Sequence, residues 1–234
     1  MKLPKIKRNR DVSTKKDQFD QKEVFRQLRT NIEYSYFNNK QLQVISFSST
    51  SPKEGKSTVS SNLAMISIAK YHNVLIIDCD LRKPGQHKIF DVSNAKGLSD
   101  LLFDLDNVNI NDNTYFQRFK ENASEGRLYL LTSGTKVPNP QELLGSEKFE
   151  ILLEKLRKRF DFIILDCPPV TAVSDAIPVA RLSDGLVFVI SAMDTKKNDA
   201  KNAITQFKRN GVNILGIVLT KVDNEQANYY NYYY

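Results

Sequence analysis

Three stretches of this 234-residue chain carry residues that could handle phosphate. In the first, Thr50-Ser51-Pro52-Lys53-Glu54-Gly55-Lys56-Ser57-Thr58, a glycine-lysine-serine turn lies between an apolar run and a helical pattern, the setting a phosphate-binding loop requires. The loop from Ser51 to Thr58 and the helix N-terminus can cradle phosphates. Lys56 can reach the β- and γ-oxygens, and the Ser57 hydroxyl can ligate Mg²⁺. The customary first glycine of such a loop is Thr50 here. A chance Gly-Lys-Ser loop is the competing reading, and the other two stretches weigh against it.

In the second, Val74 to Ile77 leads into Asp78-Cys79-Asp80, so a strand delivers two carboxylates to the same side of its C-terminal end. Paired acids beside bound phosphates suit Mg²⁺ ligation and acceptance of a proton from an attacking hydroxyl. Alone, the pair would read as a solvated strand end with Arg82 pairing one of the acids. In the third, Phe162 to Leu165 runs into Asp166, a further acid able to hold Mg²⁺ directly or through water. The candidate catalytic set is Lys56, Asp78, Asp80 and Asp166, and the candidate metal ligands are Ser57, Asp80 and Asp166. His72 and His87 have no partner at metal-binding spacing and count as ordinary residues.

The elements that must position these groups are legible in the hydrophobic pattern. Short Val/Ile-rich runs recur at Val44 to Phe47, Val74 to Ile77, Phe162 to Leu165, Leu186 to Ile190 and Ile214 to Leu219. They read as strands buried on both faces of a parallel sheet. Helical patterns at Ser57 to Ala69, Ser146 to Arg159 and Asp199 to Asn210 alternate with them, predicting a doubly wound α/β fold with its ligands at the C-terminal edge of the strands. Gln21 to Tyr36 reads as a further helix, with Val24, Leu28 and Ile32 as its apolar stripe. Residues 104 to 126 are polar and aperiodic, predicting an excursion or mobile loop.

The formal charge of +7 is concentrated in residues 1 to 16, where seven Lys/Arg face only Asp11, so the rest of the chain is nearly neutral. That arm could visit anionic lipid or nucleic acid, or be a solvated leader, and it assigns no ligand. Cys79 and Cys167 make no disulfide framework, and the neighbouring acids should make them poor thiolates. No apolar run approaches the roughly 20 residues needed to span a bilayer, so the chain is expected to be soluble and cytoplasmic. At its end, five of the last six residues are tyrosine: Tyr229, Tyr230, Tyr232, Tyr233 and Tyr234.

Together the three acid- and lysine-bearing stretches resemble the Walker A, A′ and B motifs of the bacterial protein-tyrosine kinases that regulate capsule and exopolysaccharide export, relatives of the ParA and MinD ATPases. Pro138-Asn-Pro140-Gln-Glu142-Leu143-Leu144 resembles that family's Pro-Asn-Pro-x-Glu-Leu-Leu segment, and the nearest likeness is to the stand-alone CapB-type kinase. The resemblance implies a P-loop NTPase fold, ATP and Mg²⁺ as cofactors, and tyrosine autophosphorylation of the C-terminal cluster. It also implies a transmembrane adaptor with a cytoplasmic activating segment, recruitment to the inner face of the membrane, tyrosine-containing protein substrates and a cognate phosphatase. Glu23, Arg26 and Arg29 match its Glu-x-x-Arg-x-x-Arg oligomerisation motif, whose three- and six-residue spacing puts all three side chains near one helical face, and the match implies a self-assembled ring, of eight members by family precedent; a solvated helix face with a local ion pair would be preferred only if the motif stood alone. No nucleic-acid partner is expected.

The resulting organisation is a basic arm at 1–19, a P-loop kinase domain at 20–224 and a tyrosine-rich tail at 225–234. Two alternatives remain. Leu219-Thr220-Lys221-Val222-Asp223 resembles the guanine-reading motif of GTPases, although a strand end entering a turn explains it equally and is preferred. A MinD- or ParA-type ATPase switch is the other, disfavoured because the signature lysine of the ParA type would fall at Ser51.

Overall fold

A computed structural model describes residues 15–35, 42–120, 126–171 and 174–222. The arm up to residue 14, Asp223 and the tyrosine cluster lie outside the described residues.

Seven strands form one sheet: β1 (Val44–Ser49), β2 (Asn73–Asp78), β3 (Gln117–Lys120), β4 (Arg127–Leu131), β5 (Phe162–Asp166), β6 (Gly185–Ser191) and β7 (Ile214–Thr220). Their order across the sheet is β3-β4-β2-β5-β1-β6-β7, parallel throughout except for β3, which runs antiparallel to β4. This is the doubly wound class expected, and every strand anticipated from the apolar runs is present. The register is what assembles the site. Asp78 lies beside Asp166 across β2 and β5, and Phe47 lies beside Asp166 across β1 and β5. The P-loop and both acid-bearing turns therefore leave three adjacent central strands at one edge.

These strands are β-branched and apolar because both faces are covered. On one face, α1 (Lys15–Ser35) and α2 (Lys56–Ser67) pack over Ile45, Phe47, Ile76 and Ile164. On the other, α4 (Leu98–Phe103), α6 (Glu147–Arg157), α7 (Ala176–Leu182) and α8 (Lys197–Arg209) contribute buried residues to the layer over Leu75, Ile77, Ile163 and Phe188. Each fully buried aliphatic or aromatic side chain stabilises the fold by roughly 1.5–3 kcal/mol. Two short helices, α3 (Gln86–Ile89) and α5 (Pro140–Leu144), complete the described elements; Pro140 starts α5 as a proline at the first helical position can.

Three expectations are corrected. Residues 104–120 are not a free excursion: Leu105, Ile110, Tyr115 and Phe116 are buried in the core, Arg159 stacks over Phe116 with 4.6 Å to the ring centroid, and β3 adds a strand at the sheet edge. Isolated apolar residues spaced by Asn and Asp carry no period, so only the tertiary contacts reveal them. Strand β4, fully paired with β2, was absent from the expected set. In α1 the inward stripe is the half-buried Phe25 and Leu28 with the buried Ile32, whereas Val24 is 58% exposed.

Candidate active site

Helix α2 begins at Lys56 behind Gly55, whose φ of 93° lies in the left-handed region where a side chain would be strained. Thr50, by contrast, adopts no positive φ, so the backbone there does not require the glycine the motif usually carries. No acid occupies the first turn of α2, which leaves the positive end of its dipole free for an anion.

The charged centre is compact. Lys56 is nearly buried, and its Nζ lies 3.3 Å from Asp166 Oδ1, 3.5 Å from Asp80 Oδ2 and 3.2 Å from Ser57 Oγ. Burial works against the ammonium charge, but Asp166, Asp80 and Asp78 together outweigh it and hold Lys56 above its ordinary range. Asp78 is fully buried. Its Oδ2 accepts N–H groups from Gly85 and Gln86, each at 2.9 Å, and its Oδ1 accepts the Asp80 N–H at 3.2 Å. Desolvation, seconded by the Asp166 charge, pushes its carboxyl up to about 7 against the opposing pull of those N–H groups and Lys56. Asp80 is slightly more open, and desolvation raises it too, with Lys56 opposing. Arg82 does not pair either acid: it forms a two-point ion pair with Asp175 at 2.6 and 3.2 Å. The plain strand-end reading of Asp78 and Asp80 therefore loses its support.

Ser57, Asp80 and Asp166 present the hard oxygen donors that Mg²⁺ prefers. Among the described residues no three His, Cys, Asp or Glu side chains form a protein cage; Mg²⁺ binds through one or two carboxylates, waters and substrate phosphates. The residues present thus fit a Mg²⁺–nucleotide. Cys79 and Cys167 are both free and buried, and burial pushes their thiols up, the opposite of a reactive thiolate.

Two residues of the site escaped the motif reading as organisers. Glu54, 3% exposed, accepts the Thr50 N–H on Oε2 at 2.8 Å and the Thr195 hydroxyl on Oε1 at 2.5 Å, while its carbonyl accepts the Thr220 hydroxyl at 2.6 Å. It ties the P-loop to the ends of β6 and β7. Thr220, the first residue of the guanine-like motif match, is thus engaged in a structural tie, and Lys221 pairs with Asp194 at 2.6 Å. Gln86 is the second, donating from Nε2 to Asp166 Oδ2 at 2.7 Å. Glu54 lies inside the loop motif and Gln86 outside all three, but the partners of both are far away in sequence, so spacing does not reveal what either holds.

The three residues that match the oligomerisation motif divide. Glu23 and Arg26 pair at 3.1 Å on the exposed side of α1. Arg29 instead turns inward and donates to the Ile66 carbonyl in the last turn of α2 at 3.1 Å. The expected single three-residue face is not formed.

A strand-edge site with a left-handed glycine, a lysine at a helix start and three converging acids defines a P-loop nucleotide-binding enzyme. The family model described as an AAA domain matches residues 42–208. CapB of Staphylococcus aureus is 38% identical over 91% of this chain and 89% of its own length. The tyrosine-protein kinase YwqD of Bacillus subtilis is 34% identical over 90% of this chain and 85% of its own. Among solved structures, the chimerical protein CapA2B2 superposes with a TM-score of 0.76 at 34% identity, over 86% of this chain and 85% of that one. The chain belongs to the bacterial tyrosine-protein kinases.

Proposed function

We propose that this chain uses ATP and Mg²⁺ to phosphorylate the tyrosines of its own C-terminal cluster, Tyr229, Tyr230, Tyr232, Tyr233 and Tyr234, acting from one chain on the next. The observation that carries this reading is the buried Lys56 among Asp78, Asp80 and Asp166 in a chain that ends in those tyrosines. When bound, the metal–nucleotide supplies the phosphoryl group and divalent charge that offsets the charge on its oxygens. Ser57, Asp80 and Asp166 would hold the metal. Lys56 offsets negative charge developing on the phosphoryl oxygens. A phenol, with an ordinary pKa of ~10, needs a positioned proton acceptor. The Asp78/Asp80 pair provides one: Asp80 is the member closer to solvent, and Asp78, gripped by three backbone N–H groups, fixes the turn that carries it.

The exposed Glu23–Arg26 edge of α1 supports self-association into a ring, with Arg29 bracing the helix from behind. No described helix is long and apolar enough to cross a membrane; in this reading a separate adaptor recruits the chain to the inner membrane face and activates the kinase. Each added phosphate brings nearly two negative charges, so a fully modified tail repels itself and releases the ring.

A mixing experiment tests this reading. Chain carrying Lys56→Met, which keeps its tail, is incubated with active chain lacking residues 229–234, ATP, Mg²⁺ and the adaptor's cytoplasmic segment. Phosphotyrosine on the tail of the Lys56→Met chain is the expected result. An unmodified tail, alongside robust self-modification of the unaltered protein, would exclude transfer between chains; release of free phosphate alone would point to an ATPase switch.

A further inference from the structure

Gln86 is fully buried and touches all three motifs. Its Nε2 lies 2.7 Å from Asp166 Oδ2, 3.0 Å from Ser60 Oγ and 3.3 Å from the Ser57 carbonyl, and its backbone N–H reaches Asp78 at 2.9 Å. A carboxylate and a carbonyl beside Nε2 require the nitrogen there, which fixes the orientation of the amide. The consequence is that Oε1 is buried with no hydrogen-bond partner among the described residues. An unpaired buried carbonyl opposes folding. A leucine of similar volume would fill the same space without that cost. The residue is therefore better accounted for by what its Nε2 holds than by stability.

What it holds is one oxygen of Asp166. The other, Oδ1, faces Lys56. With Oδ2 anchored, the carboxylate cannot rotate, and the edge it offers to a cation beside Ser57 is set. We propose that Gln86 is a positioning residue for Asp166, and that the Mg²⁺ dependence of nucleotide binding runs through this amide. The inference rests on the reading that Ser57 and Asp166 belong to the metal site. Groups that orient metal-ligating carboxylates typically change metal affinity 10–100-fold when removed.

The test is fluorescence titration of the full chain with a fluorescent ADP analogue, at increasing Mg²⁺ and separately in EDTA. In Gln86→Leu the Mg²⁺ concentration for half-maximal binding should rise about tenfold, while affinity in EDTA stays within about twofold of the unaltered protein. Gln86→Asn, which keeps an amide but withdraws it by one methylene, should shift in the same direction and serves if Gln86→Leu fails to fold. Ser60→Ala, which removes a neighbour of Nε2 but leaves the Asp166 contact, should leave the Mg²⁺ dependence unchanged. A merely structural role would lower the melting temperature of the Gln86 variants without moving the Mg²⁺ midpoint, and that result overturns the proposal. Unaltered protein whose nucleotide binding ignores Mg²⁺ would overturn the metal-site reading and this inference with it, whereas Mg²⁺-dependent binding with unmoved Gln86 variants overturns the inference alone.

Discussion

Lys56 and Arg26 are both cations placed against acids, yet their surroundings differ in the respect that matters. The Lys56 side chain is 11% exposed and faces three carboxylates, while Arg26 and Glu23 are 51% and 50% exposed and face each other across one turn of helix. In water such a pair contributes about 0–1 kcal/mol, because solvent screens it and two long side chains must be held still. In the interior, desolvation is costly enough that a lysine and three acids persist together only when they balance one another. The contrast separates a buried charge held in a balanced cluster from an exposed charge available for contact between molecules.

Substituting the buried cation should have the largest effect. Lys56→Met is expected to lower kcat by at least about 10²-fold, since removing one preorganised donor to developing charge costs that much or more; single-turnover phosphotransfer measures it. The same substitution leaves the acids without their counter-charge, so it should raise the Asp78 carboxyl further.

Next in size is a pH effect on the nucleotide-free protein. The folded-state Asp78 carboxyl is raised from its ordinary value to about 7 by burial and by Asp166, so the folded state binds a proton more tightly than the unfolded chain. The stability this confers is fully present below about pH 4 and is lost as pH rises through about 7, amounting to a few kcal/mol at most. Urea denaturation across that range should show the decline for the unaltered protein and a flatter profile for Asp78→Asn.

Glu54→Ala comes third. It leaves the Thr50 N–H and the Thr195 hydroxyl without their acceptor and should cost about 1–3 kcal/mol, with weaker nucleotide binding because the P-loop is no longer tied to β6. Glu54→Gln, which keeps an acceptor oxygen, should recover part of both; calorimetry and nucleotide titration report them.

The smallest effects divide α1 itself. Arg29→Ala should cost about 1 kcal/mol of stability through the lost bond to the Ile66 carbonyl, with Arg26→Ala below about 0.5 kcal/mol. If the exposed edge joins neighbouring chains, Arg26→Ala will nevertheless shift light scattering toward monomer at unchanged melting temperature.

The site was largely legible in the sequence because its parts are local. A strand, an acid or lysine at its end and a turn occupy fewer than a dozen residues, and the parallel sheet then brings three such units together. Residues whose meaning comes from distant partners were not legible as organisers. Glu54 was visible as a loop member, but its tie to Thr195 spans 141 positions. Gln86 stood in no motif, and its bond to Asp166 spans 80. The same limit hid Leu105, Ile110 and Phe116, whose burial depends on a helix and a strand that lie later in the chain. Arg29 shows the converse: three- and six-residue spacing placed it with Glu23 and Arg26, but the carbonyl at the end of α2 holds it elsewhere.

Incubating the full chain with γ-labelled ATP and Mg²⁺, with and without the cytoplasmic segment of the proposed adaptor, and hydrolysing the product for phosphoamino-acid analysis would test the role of the buried centre most directly. Label in phosphotyrosine for the unaltered protein and none for Lys56→Met is the predicted result. Label found only as inorganic phosphate, or phosphotyrosine undiminished in Lys56→Met, would contradict it.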